Sequence, residues 1–91
     1  MVLDIAGGGQ DNGTNLIQNT PDQSAGQQWK VTAVEDGVYK IINVMNKKAI
    51  DVAELSTANG GNVHVWDYVD GDNQKWRIEN GNQDYRLVVN I

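Results

Sequence analysis

A chain of 91 residues with no cysteine has room for one small domain and no disulfide to brace it. Its formal net charge of −5 argues against nucleic acid and anionic membrane as partners. No apolar run approaches the roughly 20 residues that a membrane-spanning helix needs.

The elements follow in chain order. Val2-Leu3-Asp4-Ile5-Ala6 alternates and predicts a strand, ended by Gly7-Gly8-Gly9. Asp11-Asn12-Gly13 is a turn signal, because Asn and Gly tolerate positive φ. Asn15-Leu16-Ile17-Gln18-Asn19 predicts a short strand and residues 20–26 a loop. Gln28-Trp29-Lys30-Val31-Thr32 alternates with period two, Glu35-Asp36-Gly37 turns the chain, and residues 38–44 form the strongest predicted strand. Residues 45–48 predict a tight hairpin turn. Strands are then expected over 49–53, 62–67, 75–79 and 84–90, with loops over 56–61 and 68–73 and a turn over 80–83. No segment predicts a helix, so eight short strands make an all-β barrel or sandwich the physical default.

An internal repeat overrides that default. Gln27-Gln28-Trp29-Lys30-Val31 returns as Gln74-Lys75-Trp76-Arg77-Ile78, with the tryptophans 47 residues apart. Val2-Leu3-Asp4-Ile5-Ala6 returns as Ala49-Ile50-Asp51-Val52-Ala53, Gly13 as Gly60 and Asn15 as Asn62, all at the same spacing. Tyr39 to Asn43 matches Tyr85 to Asn90 with one extra residue near Val88-Val89. Met1 and Ile91 fall on either side of the place where the turn at residues 45–47 would recur. The chain therefore reads as two 47-residue repeats cut at a turn, with ends disposed to meet another copy.

The two Gln-x-Trp segments, with Leu3-Asp4-Ile5, Ile50-Asp51-Val52 and the Asn-Gly loop signals, resemble the ricin B-chain-like β-trefoil lectins, also called family 13 carbohydrate-binding modules. The resemblance covers essentially the whole chain. It implies an all-β β-trefoil fold, in which three four-strand repeats close one trefoil and the Gln-x-Trp tryptophans pack in the core. On that plan residues 1–33 are a first repeat lacking its first strand, 34–80 a complete second repeat, and 81–91 the first strand of a following one. Two repeats leave open edges, and the simplest completion is a homotrimer whose six repeats make two trefoils. A fragment of a longer protein, or a designed chain, is the alternative.

The family resemblance also implies a function: non-catalytic binding of galactose-type or xylan-type sugars, without a cofactor, in a secreted protein. No leader is evident in the sequence, and a mature secreted chain would look the same. The implied carbohydrate-binding residues fall on Asp51, His64, Trp66, Asn73 and Gln74, with Asp67 and Tyr68 expected at the rim. The types suit a sugar. A carboxylate accepts hydroxyl protons, an amide donates and accepts, and an aromatic face meets the C–H side of a pyranose.

Each residue has a plainer role. In that alternative Asp51 would satisfy backbone N–H groups in a turn, Asn73 would cap a loop, and Gln74 would make a structural hydrogen bond, since it recurs as Gln27. His64 is expected to be a solvated strand residue. Trp66 breaks the in-out phase of Trp76 and is expected to be exposed. The first repeat has Asp4, Ile17, Asn19, Gly26 and Gln27 at these positions, without the ring or the loop amide, which predicts one site per chain. Other chemistries find little support. One histidine cannot build a His-rich zinc site, Asp70-Gly71-Asp72 lacks the full calcium-loop pattern, and nothing sets two carboxylates across a cleft as a glycosidase needs. A folding scaffold and an accessory piece of a glycosidase are the competing readings.

Overall fold

A computed structural model of the chain describes residues 1–81 and 84–90. Asn82 and Gln83 of the expected last turn, and Ile91, lie outside the described residues. The architecture is all-β. Strands β1 (Val2–Ile5), β2 (Leu16–Asn19), β3 (Trp29–Glu35) and β4 (Val38–Asn43) are followed by β5 (Ala49–Val52), β6 (Val63–Trp66), β7 (Trp76–Asn80) and β8 (Tyr85–Val89). The expected strands are therefore present, with β3 running three residues further than its alternation suggested.

Among the described residues, four single 3₁₀ turns add to that expectation. They lie at Ala6–Gly8, Ala25–Gln27, Ala53–Leu55 and Asp72–Gln74, at equivalent places in the two units. Gln27 and Gln74 thus sit in a turn that precedes the tryptophan strand, not in the strand itself. Such one-turn elements carry no hydrophobic period for a sequence reading to detect.

All strand pairs are antiparallel: β1 with β2, β3 with β4, β5 with β6 and β7 with β8. Strand β4 joins the units, because it also pairs with β5 through Ile42 and Ala49 and with β7 through Tyr39 and Trp76. The one-residue mismatch between the units belongs to the first hairpin. Ala33 faces Tyr39 and Glu35 faces Val38, with a bulge between Ala33 and Glu35. Strand β8 pairs without interruption and sets Val89 opposite Trp76, where β4 sets Asn43 opposite Trp29. Asn90 is consequently not the ladder counterpart of Asn43. The latter is fully buried and holds the turn at 44–48 through its side chain, donating to Gly26 O at 3.0 Å and accepting from Met45 N at 3.0 Å.

The core gathers Ile41, Ile50, Val52 and Trp76, with Leu16, Trp29, Val63 and Val89 packed against it. Both Gln-x-Trp indoles are tied to the backbone of their own unit. Trp29 Nε1 donates to Leu3 O and Trp76 Nε1 to Ile50 O, each at 3.2 Å. One side of this core is open. A hollow of about 410 Å³ there is bordered by Leu3, Leu16, Ile50, Val63, Trp76 and Leu87, and Leu87 is 50% exposed.

A second set of ties locks the units together beside β6. Gly13 N donates to Val65 O at 2.8 Å, and Val65 N to Thr14 O at 3.0 Å. Lys48 Nζ donates to Asn12 Oδ1 at 2.8 Å and to Asp67 Oδ1 at 2.7 Å. The turn at 11–13, with Gly13 at φ +89°, thereby buttresses the second unit from the first.

Candidate functional site

Strands β5 and β6 set Asp51 directly opposite His64. The 3₁₀ turn Asp72–Gln74 lies across them and contributes the two amides. Asp51 Oδ1 accepts from His64 Nε2 at 3.0 Å and from Asn73 Nδ2 at 3.2 Å, and Oδ2 accepts from Gln74 Nε2 at 2.9 Å. Asp51 is only 6% exposed. A carboxylate buried to that degree requires such donors, and it has them from three side chains. It does not serve the turn backbone, the plainer role considered for it.

His64 is a correction. It was expected to be solvated, but it is buried. The β5–β6 register turns it toward Asp51, and its ring lies 5.5 Å from that of Trp66 at 31°. Donation to Asp51 selects the tautomer with the proton on Nε2. Trp66 itself is 41% exposed, as its phase predicted. Its Cζ3 stands against Gly13 of the first unit, 3.8 Å from where a Cβ would be.

Asn73 also donates to Val52 O at 2.9 Å. Its Oδ1 crowds Gly71, where a Cβ would come within 2.6 Å, so a larger residue there would displace the Asn73 amide. Gln74 is fully buried and fully used. It donates to Asp67 O at 2.8 Å as well as to Asp51, and its Oε1 accepts from Val69 N at 2.9 Å and Gly71 N at 3.3 Å. Among the described residues, Asn73 Oδ1, the remaining lone-pair direction of Asp51 and the open face of Trp66 are not occupied by these bonds. A hollow of about 1080 Å³ is bordered by Asp51, His64, Trp66 and Asn73, and also by Glu54, Leu55, Val69 and Asp72.

The last four residues escaped the sequence reading. A signal for two of them was available, since Glu54-Leu55 occupies the places of Gly7-Gly8 in the repeat. Asp67 and Tyr68, expected at the rim, are engaged elsewhere. Lys48, and then Asn12, hold the Asp67 carboxyl below its ordinary value. Tyr68 donates to Asp70 Oδ1 at 2.8 Å, with Lys40 Nζ 4.8 Å from its ring centroid. Burial first, and Asp70 second, push the Tyr68 hydroxyl up to about 12. Asp70 is held low by Tyr68 and then by Lys75.

In the first unit the same frame carries different groups. Asp4 accepts from Ile5 N at 2.7 Å, Asn19 Nδ2 at 3.1 Å and Gln27 Nε2 at 3.2 Å. Asn19, at the place of Trp66, turns into the carboxylate, while Ile17 and Gly26 replace the histidine and the loop amide.

The all-β frame of antiparallel hairpins, its elements repeated at 47 residues, has the organisation of a β-trefoil domain. The sequence profile described as ricin-type beta-trefoil lectin domain-like matches residues 1–66 and again 25–90, and the chain belongs to that family. No curated protein matches the chain. Among solved structures it is similar to a designed 3-fold symmetric protein, ThreeFoil, with 36% identity and a TM-score of 0.93 over 97% of this chain. It is also similar to 1,3Gal43A, an exo-beta-1,3-galactanase from Clostridium thermocellum, with 31% identity and a TM-score of 0.91, again over 97% of this chain. The chain spans 64% of the designed protein and 19% of the galactanase.

Proposed function

We propose that the chain is a non-catalytic carbohydrate-binding module that takes galactose-type sugars at one site, formed by Asp51, Asn73 and Trp66. The observation that carries this reading is the set of groups left around the hollow. The held carboxylate and the amide oxygen accept hydroxyl protons, and the indole face receives the C–H side of a ring. His64 and Gln74 hold Asp51 in place. The likeness to a galactanase favours galactose over xylose. Calorimetric titration with galactose, lactose and xylobiose tests the reading: heat with the galactosides supports it, and a folded protein that gives no heat with any of them defeats it. Hydrolysis of a chromogenic galactoside by the purified chain would overturn the non-catalytic part.

The open core calls for a third repeat, and we propose that another copy of the chain supplies it, three chains making two trefoils. Support comes from the exposed Leu87 and the uncovered border of the core, apolar surface that a further lobe would cover. Sedimentation equilibrium distinguishes a trimer from a folded monomer, and the latter would defeat the assembly. The likeness to a designed symmetric protein favours one second reading, a scaffold in which sugar binding is incidental; a folded trimer silent toward every sugar is its signature.

A further inference from the structure

We propose that Glu54 and Leu55 form a second sugar subsite, so that the hollow takes a neutral oligosaccharide of two or more rings and not a single ring; this rests on the carbohydrate reading above. The first observation is backbone geometry. Glu54 and Leu55 have φ of +59° and +55°, left-handed values that side chains with a Cβ hold only under strain. The first unit makes the same turn with Gly7 and Gly8 at +59° and +64°. The turn itself does not need the two side chains. Ala6 N donates to Asn15 O and Ala53 N to Asn62 O, both at 2.9 Å, and the closing bonds, Gly9 N to Ala6 O and Ser56 N to Ala53 O, are 3.2 and 3.1 Å.

The second observation is where those side chains stand. Leu55 is 57% exposed, so it contributes little to the core, yet it borders the hollow together with Val69, which is 69% exposed, and Trp66. Three apolar surfaces border an open space of about 1080 Å³, slightly above the roughly 300–1,000 Å³ of ordinary small-molecule sites and so roomy for a single ring. Asp51, Asn73 and Trp66 account for one ring. Leu55 and Val69 offer apolar contact to the next, and Glu54 an acceptor for its hydroxyls. With Asp51, Glu54 and Asp72 all bordering the space, an anionic sugar is repelled, so the ligand is neutral.

The test compares the wild type with the double variant Glu54→Gly, Leu55→Gly, which copies the first unit's turn and should fold. Calorimetry measures galactose against β-1,3-galactobiose, and xylose against xylobiose. The wild type is expected to bind a disaccharide at least ten-fold more tightly than its monosaccharide, and the variant to bring that ratio close to one while unfolding at a higher urea concentration. A wild-type ratio near one, or an undiminished ratio in the variant, overturns the second subsite and leaves the single-ring site standing. A folded wild type that binds none of the four sugars removes the carbohydrate reading, and this subsite with it.

Discussion

Gln74 donates its side-chain amide to Asp51 Oδ2 at 2.9 Å from a position without solvent exposure. Gln27 makes the corresponding bond to Asp4 at 3.2 Å. The glutamine of each Gln-x-Trp segment therefore holds the aspartate of its own unit. This accounts for its recurrence in a unit that lacks the ring and the loop amide. The structure is conserved between units at the level of the clamp and differs at the level of the groups facing outward.

The clamp predicts unequal effects in the two units. Gln74→Ala leaves a buried carboxylate short of a donor and the N–H groups of Val69 and Gly71 without their acceptor. A loss of about 3 kcal/mol is expected, since breaking a buried charged network exposes the full desolvation penalty. Gln27 lies nearer solvent, and Gln27→Ala is expected to lose about 1 kcal/mol. Urea unfolding of both variants at neutral pH checks the order. Equal losses would mean that the Asp51 network is not specially dependent on its glutamine.

The tryptophans separate stability from binding. Trp76 is 7% exposed and lies in the core, so Trp76→Ala should lose about 3–5 kcal/mol through transfer and cavity effects. Trp66→Ala should cost no more than about 1–2 kcal/mol and lower galactoside affinity at least ten-fold. Unfolding curves and calorimetry on the same preparations measure both. Retained affinity in a folded Trp66→Ala protein would move the sugar away from this ring.

The sequence revealed the framework because the framework is periodic. Strand alternation, the 47-residue spacing and the phase of Trp66 are all one-dimensional signals, and each matches the fold. The environment of His64 is not such a signal. Alternation tells which face of β6 a side chain takes, but the burial of that face depends on the turn at Asp72–Gln74 and on Asp51 across the ladder. The left-handed turn at Glu54-Leu55 is hidden for a different reason. Neither residue type suggests positive φ, and only comparison with Gly7-Gly8 at the same place in the repeat makes the conformation readable. The register of β8 was ambiguous because matching residues, Asn43 and Asn90, do not occupy matching rungs once the bulge in the first hairpin is present.

Tyr68 gives a pH signature. Its hydroxyl ionises at about 12 in the folded chain, against 10.0 for the ordinary side chain, through burial and then Asp70. Between those values the unfolded chain has released a proton that the folded chain retains. Stability from this group is thus fully present below pH 10 and is lost as pH rises toward 12. Lysines titrate in the same range, so the comparison is with Tyr68→Phe. The wild type should show a tyrosinate absorbance step near pH 12 that the variant lacks, and a steeper decline of the urea midpoint in that interval. Identical absorbance titrations apart from a step at pH 10 would mean that neither burial nor Asp70 holds the Tyr68 proton in solution.

The first unit offers the most demanding check on the site. It already has the clamp, with Gln27 on Asp4, and its Ile17 and Asn19 side chains are exposed. The triple variant Ile17→His, Asn19→Trp, Gly26→Asn transfers the second unit's groups to it. Asp4 loses the Asn19 donor but gains the introduced histidine and asparagine, so its carboxylate stays satisfied. The tightest point is residue 26, where a Cβ would stand 3.3 Å from Asp4 Oδ1 and 3.8 Å from the Met45 thioether. Asp4 must give by a few tenths of an ångström, and the flexible methionine can adjust, so a penalty under about 2 kcal/mol is expected. Calorimetry should then read two galactoside sites per chain in place of one. A folded triple variant that still binds one sugar per chain would show that Asp51, His64, Trp66 and Asn73 do not suffice to make a site.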